Sequence, residues 1–345
     1  MKKTLFFHFC GGETLEECKT AIDALAQFNI KTIPDYAAEG GSSEEAYKDA
    51  FENILDTIEF TGQQENVAFT VFKPSAIGSV AVLDKVQSGK VLNDEETKMF
   101  DLLKERIDIL CHRAAELKVP IMADAEESWI QDAVDAIITA MMSKYNKETA
   151  IVYNTFQMYR SDMPKNLENV LRLAKDEQFY LGAKLVRGAY WDKERERAAK
   201  LKYKSPVFET KPETDEAFDN ALKLCVENID RVHVCCGSHN EKSNMLLTDL
   251  MREHNIEPDD PRVSFSQLYG MGDHISFNLS QRGYNVTKYL PWGPVEAAVP
   301  YLIRRANENQ SVAGQASREL SLIRKELDRR KMEYSKDNPA DMTKL

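Results

Sequence analysis

Residues 150–186 read AIVYNTFQMYRSDMPKNLENVLRLAKDEQFYLGAKLV, and they contain one complete strand–helix–strand unit. Two short runs of strand length, 150–155 and 181–186, bracket a segment of helical character at 164–176. Outward in both directions the same alternation recurs. Strand runs stand at 31–34, 67–72 and 120–123 before it, and at 231–235, 262–266 and 285–289 after it. Further helical segments stand at 44–58, 128–143, 216–229 and 295–307. Eight strand-plus-helix units in about 280 residues match the size and order of a (β/α)₈ TIM-like barrel, an α/β fold with flanking helices. A doubly wound sheet, the nearest rival, usually opens on a glycine-rich first turn. No GxGxxG is present, and Gly270-Met271-Gly272 and Gly40-Gly41 lack its spacing. The expected division is a lead-in part over 1–29 with a helix at 13–27, a barrel over 30–312, and a C-terminal part over 313–345. That last part carries a charged helix at 317–331 and a polar tail from 333.

The 345 residues are 43% apolar and 29% charged, the mixture of a soluble globular protein. Acidic residues exceed basic ones by 56 to 45, for a net charge of −11, so the bulk field repels nucleic acid. No run reaches the ~18 consecutive apolar residues of a spanning helix. Residues 4–9 are too short for a signal-peptide core, and the expected setting is cytoplasmic. The six cysteines, at 10, 18, 111, 225, 235 and 236, lack CxxC spacing and are expected to be reduced thiols.

In a barrel, the strand ends and the loops after them form the active face. Polar residues fall at nearly every one: Asp35, Lys73, Asp124 with Glu126, Gln157, Lys184 with Arg187, His239, Gln267 and Tyr289. Each alone reads as an ordinary polar loop or helix cap; together they outline a site. In the last barrel helix, Tyr301, Arg304, Arg305 and Glu308 share one face at helical spacing. A solvated face with an Arg304–Glu308 pair is the bland alternative. Two adjacent guanidiniums suit a small carboxylate, whose two oxygens their forks can grip in one plane. In residues 184–192, Gly188 allows close backbone approach to something large and flat, with Tyr190 and Trp191 behind it. His233, Cys235, Cys236 and His239 tempt a zinc reading, but strand alternation puts His233 and Cys235 on one face and Cys236 on the other. No metal is expected.

These residues resemble the proline dehydrogenases, flavin enzymes with a distorted (β/α)₈ barrel. The likeness rests on KLVRGAYWDKE at 184–194, YLIRRANEN at 301–309, DAEES at 124–128, SHN at 238–240, LYGMG at 268–272 and FCGGE at 9–13. The pairing of the first two motifs is highly specific. The resemblance implies non-covalent FAD, oxidation of L-proline to Δ1-pyrroline-5-carboxylate, and electron transfer to a membrane quinone. A Δ1-pyrroline-5-carboxylate dehydrogenase is then the pathway partner, and peripheral contact with the inner membrane face is expected. By motif, Arg304 and Arg305 hold the substrate carboxylate, with Glu308 and Lys73 completing the charge network. Tyr190, Leu268, Tyr289 and Tyr301 wall the ring, and Asp124, Lys184 and Lys73 are the catalytic group. Ala125, Gln157, Val186, Arg187, Gly188, Ala189, Trp191, Lys211, Thr214, Ser238, His239 and Gln267 fall on the flavin side. Lys184 stands where some bacterial members carry Arg, and the chain begins close to FCGGE, with little room for a helical arm before the barrel. A monofunctional enzyme is expected. Tyr289, in YLPWG, is the tyrosine that in the family accompanies proline rather than hydroxyproline, and a hydroxyproline-preferring enzyme is one alternative.

Two other readings compete. A metal-dependent barrel hydrolase would use Asp124, Glu126, His239, Asp273 and His274 around a divalent ion. An amino-acid-binding protein would use the arginine pair without chemistry.

Overall fold

The computed structural model describes residues 6–37 and 41–311, without the side chains of residues 300, 304 and 306–311. The helix expected at 317–331 and the tail from 333 lie outside the described residues. Eight parallel strands close into a barrel in sequence order. They are β1 (Ile30–Tyr36), β2 (Thr70–Phe72), β3 (Ile121–Ala123), β4 (Val152–Gln157), β5 (Leu181–Val186), β6 (Val232–Gly237), β7 (Val263–Leu268) and β8 (Val286–Trp292). Before the barrel come a single turn, α1 (Phe7–Phe9), and α2 (Leu15–Ala26). The outer helices are α3 (Glu44–Gly62), α4 (Val80–Gln87), α5 (Asp94–Leu117), α6 (Ser128–Tyr145), α7 (Met163–Asp176), α8 (Trp191–Leu201), α9 (Lys211–Glu227), α10 (Glu241–Glu253), α11 (Asp273–Gln281) and α12 (Val295–Ser311). The chain packs as two compact units, Met1–Ala298 and Val299–Leu345.

The strands read as nearly continuous apolar runs because both of their faces are buried. Inward residues Ile33, Val71, Met122, Tyr153, Cys235 and Tyr289 fill the barrel interior. Outward ones, among them Ile121, Val152, Leu181, Val234 and Phe265, pack with Ile107, Ile138, Leu171, Phe218 and Leu247 of the surrounding helices. The expected alternation at 233–236 holds, with Cys235 inside the barrel and Cys236 in the outer layer.

Several boundaries differ from the sequence expectation, each for a local reason. Strand β2 begins at Thr70 rather than 67, because Val67 makes only an isolated bridge to Thr32 before the ladder starts. β1 and β8 run two and three residues beyond Pro34 and Tyr289, the residues expected to end them. Pro34 has no N–H to give, but the Thr32 amide bonds Asn66 O on the β2 side, so Pro34 faces that same thinly paired side and loses little. Pro291 faces β7 beyond its last rung, Leu268↔Tyr289. Helix α9 starts at Lys211 rather than 216, because Thr210 and Glu213 form a capping box and Pro212 suits the first turn.

Candidate active site

The closed barrel brings Asp124, just past β3, together with Lys184 of β5 and Tyr289 of β8. Lys184 Nζ is ion-paired with Asp124 Oδ1 and donates to Tyr289 Oη at 2.8 Å. Tyr289 Oη–H donates in turn to Asp124 Oδ1 at 2.7 Å. Burial by itself pushes the Asp124 carboxyl up. The Lys184 and Lys73 ammoniums and the two hydrogen bonds overcome that and hold it below the usual carboxylate range. The same burial, with the charges of Asp124 and Asp35, drives the Tyr289 phenol well above its ordinary value, so it stays a proton donor. Lys73, at the end of β2, pairs with Asp35 of β1 at 3.5 Å and adds its charge to this group.

Glu126 lies two residues beyond Asp124. Its carboxylate accepts the Ser75 amide at 2.9 Å and the Ser75 hydroxyl, tying the loop after β2 to the loop after β3. Its backbone is held as well: Glu126 N–H donates to Gln131 Oε1 at 2.6 Å, and Gln157 Nε2 donates to Glu126 O at 2.6 Å. Burial raises the Glu126 carboxyl to about 7 against the pull of the Ser75 bonds.

A second polar group spans β5 to β7. Arg187 donates through Nε to Asp215 at 2.6 Å, through Nη1 to Ser238 Oγ at 2.7 Å and through Nη2 to Ser243 Oγ at 2.9 Å. Its guanidinium lies 4.4 Å from the Phe218 ring centroid. Lys211, exposed on α9, shares Asp215 with it at 2.5 Å, one turn before buried Thr214 is passed. Gln267 donates to Ser238 O at 3.1 Å and accepts from Ser276 Oγ at 2.8 Å. His239 Nε2 accepts the Leu268 amide at 3.0 Å, so the imidazole is neutral with its proton on Nδ1. Asp215 and Ser243 escaped the sequence reading. The four-residue spacing from Lys211 could have found Asp215; nothing local marks Ser243.

The glycine expected to approach a flat group does so within the protein: a Cβ on Gly188 would meet the Tyr159 ring at 2.4–2.6 Å. Gly188 has φ 128°, which a side chain would strain. Ala125 and Val186 are half-buried and Ala189 is exposed. Trp191 opens α8, with the Arg195 guanidinium 3.9 Å from its ring centroid, and Lys193 Nζ lies 5.2 Å from that of Tyr190. On α12, Tyr301 and Arg305 are both buried, with 5.2 Å between guanidinium and ring. The side chains of Arg304 and Glu308 lie outside the described residues.

The competing metal set does not assemble. Asp273 pairs with Lys288 at 2.7 Å, His274 with Glu241 at 2.9 Å, and His239 with a backbone amide. Among the described residues no group of three His, Cys, Asp or Glu side chains is placed to hold a metal ion, and no helix is long and apolar enough to cross a membrane.

A family model described as proline dehydrogenase matches residues 18–318. The chain belongs to the proline dehydrogenase family. It is 35% identical over 322 residues to the carbapenem antibiotics biosynthesis protein CarD of Pectobacterium carotovorum subsp. carotovorum, covering 93% of this chain and 83% of that one. It is 34% identical to the mitochondrial proline dehydrogenase 1 of Dictyostelium discoideum, covering 96% of this chain and 65% of that protein. The barrel is also that of proline utilization A from Bdellovibrio bacteriovorus, solved after inactivation by N-propargylglycine. That likeness has a TM-score of 0.78 at 21% identity, over 88% of this chain and 32% of the other. This proline dehydrogenase family chain thus spans about two thirds of one relative and a third of another.

Proposed function

We propose that the protein oxidises L-proline to Δ1-pyrroline-5-carboxylate with FAD as cofactor. The observation that carries this reading is the buried Asp124–Lys184–Tyr289 group in the barrel of a proline dehydrogenase family member. FAD, when bound, supplies the acceptor for the hydride that leaves C5 of the substrate.

The residues present fit such a cofactor. Donors of the kinds a flavin nucleotide needs, amides and cations, sit on or beside the ends of β4 to β7: Gln157, Arg187, Ser238, His239 and Gln267, with Lys211 and Thr214 on α9. Arg187 and Lys211, both anchored on Asp215, suit the anionic part; the remainder of that set, with Ala125, Val186, Gly188, Ala189 and Trp191, suits the ring system and ribityl chain.

The chain's own residues then have defined work. The motif at 301–309 assigns Arg304 and Arg305 to the substrate carboxylate, with Glu308 and Lys73 balancing charge. The family motifs assign Tyr190, Leu268, Tyr289 and Tyr301 to the apolar ring. Fixing one end of a small ring orients its C5 hydrogen, and such orientation is worth several kcal/mol of barrier. The hydride can leave only as the ring nitrogen's lone pair forms the C=N bond, which requires a neutral amine. The Lys184 and Lys73 ammoniums disfavour a second cation beside them and so favour loss of that proton. Asp124, ionised and doubly hydrogen-bonded, keeps Lys184 and Tyr289 in place.

The electrons are proposed to pass to a membrane quinone at the inner membrane face of the cytoplasm, and the imine product to a Δ1-pyrroline-5-carboxylate dehydrogenase. Purified protein is expected to be yellow, and anaerobic L-proline is expected to bleach its absorbance near roughly 450 nm. A flavin-loaded protein left unbleached by proline overturns the reading.

A further inference from the structure

Lys288 is the largest polar side chain wholly enclosed in the barrel wall, at 1% exposure. Its neighbour Tyr289 points into the barrel, so alternation sends Lys288 outward, into the layer where α11 covers β8. An ammonium there is costly, and the positive end of a helix makes the place worse. A leucine or methionine would fill the same space without that cost.

What the ammonium does instead is collect three oxygens from one short turn. Lys288 Nζ donates to Met271 O at 2.5 Å and to Asp273 Oδ1 at 2.7 Å, and reaches Leu268 O at 3.4 Å. The turn it spans, residues 268–273, contains Gly270 at φ 74° and Gly272 at φ 63°, two left-handed residues with unusual freedom to lose. Leu268, the first residue of the turn, is held from the other side too. Its N–H donates to His239 Nε2 at 3.0 Å, and it lies opposite Tyr289 in the β7–β8 register. The Leu268 side chain packs on the interior cluster that contains Tyr289 and Cys235.

We propose that Lys288 is a positioning residue for the substrate: by gathering Leu268 O, Met271 O and the Asp273 carboxylate it locks the turn after β7, and so fixes the Leu268 wall at the spacing a five-membered ring requires. The inference rests on the proline reading, with Leu268 beside the ring. Lys288 bonds the turn rather than the barrel interior, and it acts through the turn. A loosened wall admits a larger ring, so the signature of the role is lost ring-size discrimination rather than lost turnover.

The test compares wild type with Lys288→Met, Lys288→Arg and Asp273→Ala, each loaded with flavin, on proline and on its six-membered-ring homologue pipecolate. One methylene in a close-fitting pocket is worth roughly 10–200-fold. Lys288→Met is expected to cut the proline-to-pipecolate ratio of kcat/KM by about tenfold, mainly through KM for proline. Lys288→Arg, which keeps the charge, is expected to restore much of that ratio. Asp273→Ala, a change at a largely exposed side chain, moves the ratio the same way by less and serves if Lys288→Met fails to fold. Hydrogen exchange of residues 268–272 is followed in parallel and is expected to accelerate in Lys288→Met. Unchanged exchange, or faster exchange with an unchanged ring-size ratio, overturns the proposal. A wild type that proline does not reduce overturns the proline reading instead, before any variant is compared, and the exchange arm still decides whether Lys288 holds the turn.

Discussion

Glu126 shows how one buried carboxyl makes stability depend on pH. It is 5% exposed, and its acceptor bonds from Ser75 recover only part of what desolvation takes from the ionised form. The folded protein holds this proton up to about 7, whereas a free glutamate gives it up near 4.5. Between those values the folded state binds more protons than the unfolded one, so stability falls as pH rises through the window and is fully present only below it. A shift of that size corresponds to about 3 kcal/mol. Glu126→Gln removes the titration, so its urea midpoint is expected to gain on wild type between pH 5 and pH 8; parallel pH profiles for the two proteins would refute the assignment. The sequence marked Glu126, along with Asp35, Lys73, Asp124, Lys184 and Tyr289, because strand ends in a barrel are where polar side chains converge. It could not show the partner, because Ser75 is 51 residues away and reads as an ordinary loop serine. The same limit hid Asp215 and Ser243 behind Arg187. Types of residue at strand ends are legible from one sequence, whereas pairings across the mouth depend on closure.

Among whole elements, the legible ones are those bounded by composition. β5 spans the residues expected for it, since Lys184 is its one charged residue and Arg187-Gly188 follows it. α7 starts one residue before its proline and ends where expected. The junction between α6 and β4 was not legible, because Asn146 sits in a polar stretch that looks like surface loop. It is fully buried and serves both neighbouring strands. Its Nδ2 donates to Val152 O and Tyr180 O, each at 2.8 Å, and its Oδ1 accepts the amides of Ile151 at 3.0 Å and Val152 at 2.8 Å. One side chain therefore ends α6 and sets where β4 and β5 begin. Asn146→Ala would leave these backbone groups buried without their partner, at roughly 1–3 kcal/mol for each such group and with partial relief from relaxation. A loss of about 3 kcal/mol or more in urea unfolding is expected; a loss below about 1 kcal/mol, the scale of a surface change, would mean that other groups replace it.

At the scale of the molecule the eightfold alternation was legible and the unevenness of the barrel was not. β1 pairs with β8 along its whole length, from Ile30↔Val286 to Tyr36↔Trp292. With β2 it shares the Asp35↔Val71 pair and an isolated bridge at Thr32↔Val67. A cavity of about 1350 Å³ at the N-terminal strand ends is lined on this side by Ile30, Lys31 and residues 66–69. Period counting cannot see this, because 67–72 has strand composition throughout; the change of register between Ala68 and Thr70 lies in the backbone. The consequence is a seam. Opening between β1 and β2 breaks few backbone bonds and exposes a wall that already borders a cavity, whereas opening between β1 and β8 breaks a full ladder and uncovers the Leu290 and Trp292 packing against α2. Local opening follows the bonds and burial that each route sacrifices. Under native conditions the Ala68 amide, which bonds Thr32 O across this seam, is expected to exchange at least about tenfold faster than the amides of Val286–Trp292, a difference of about 1.4 kcal/mol in opening free energy. Equal protection of the Ala68 amide and of β8 would show that the barrel opens only as a whole and that the seam carries no independent motion.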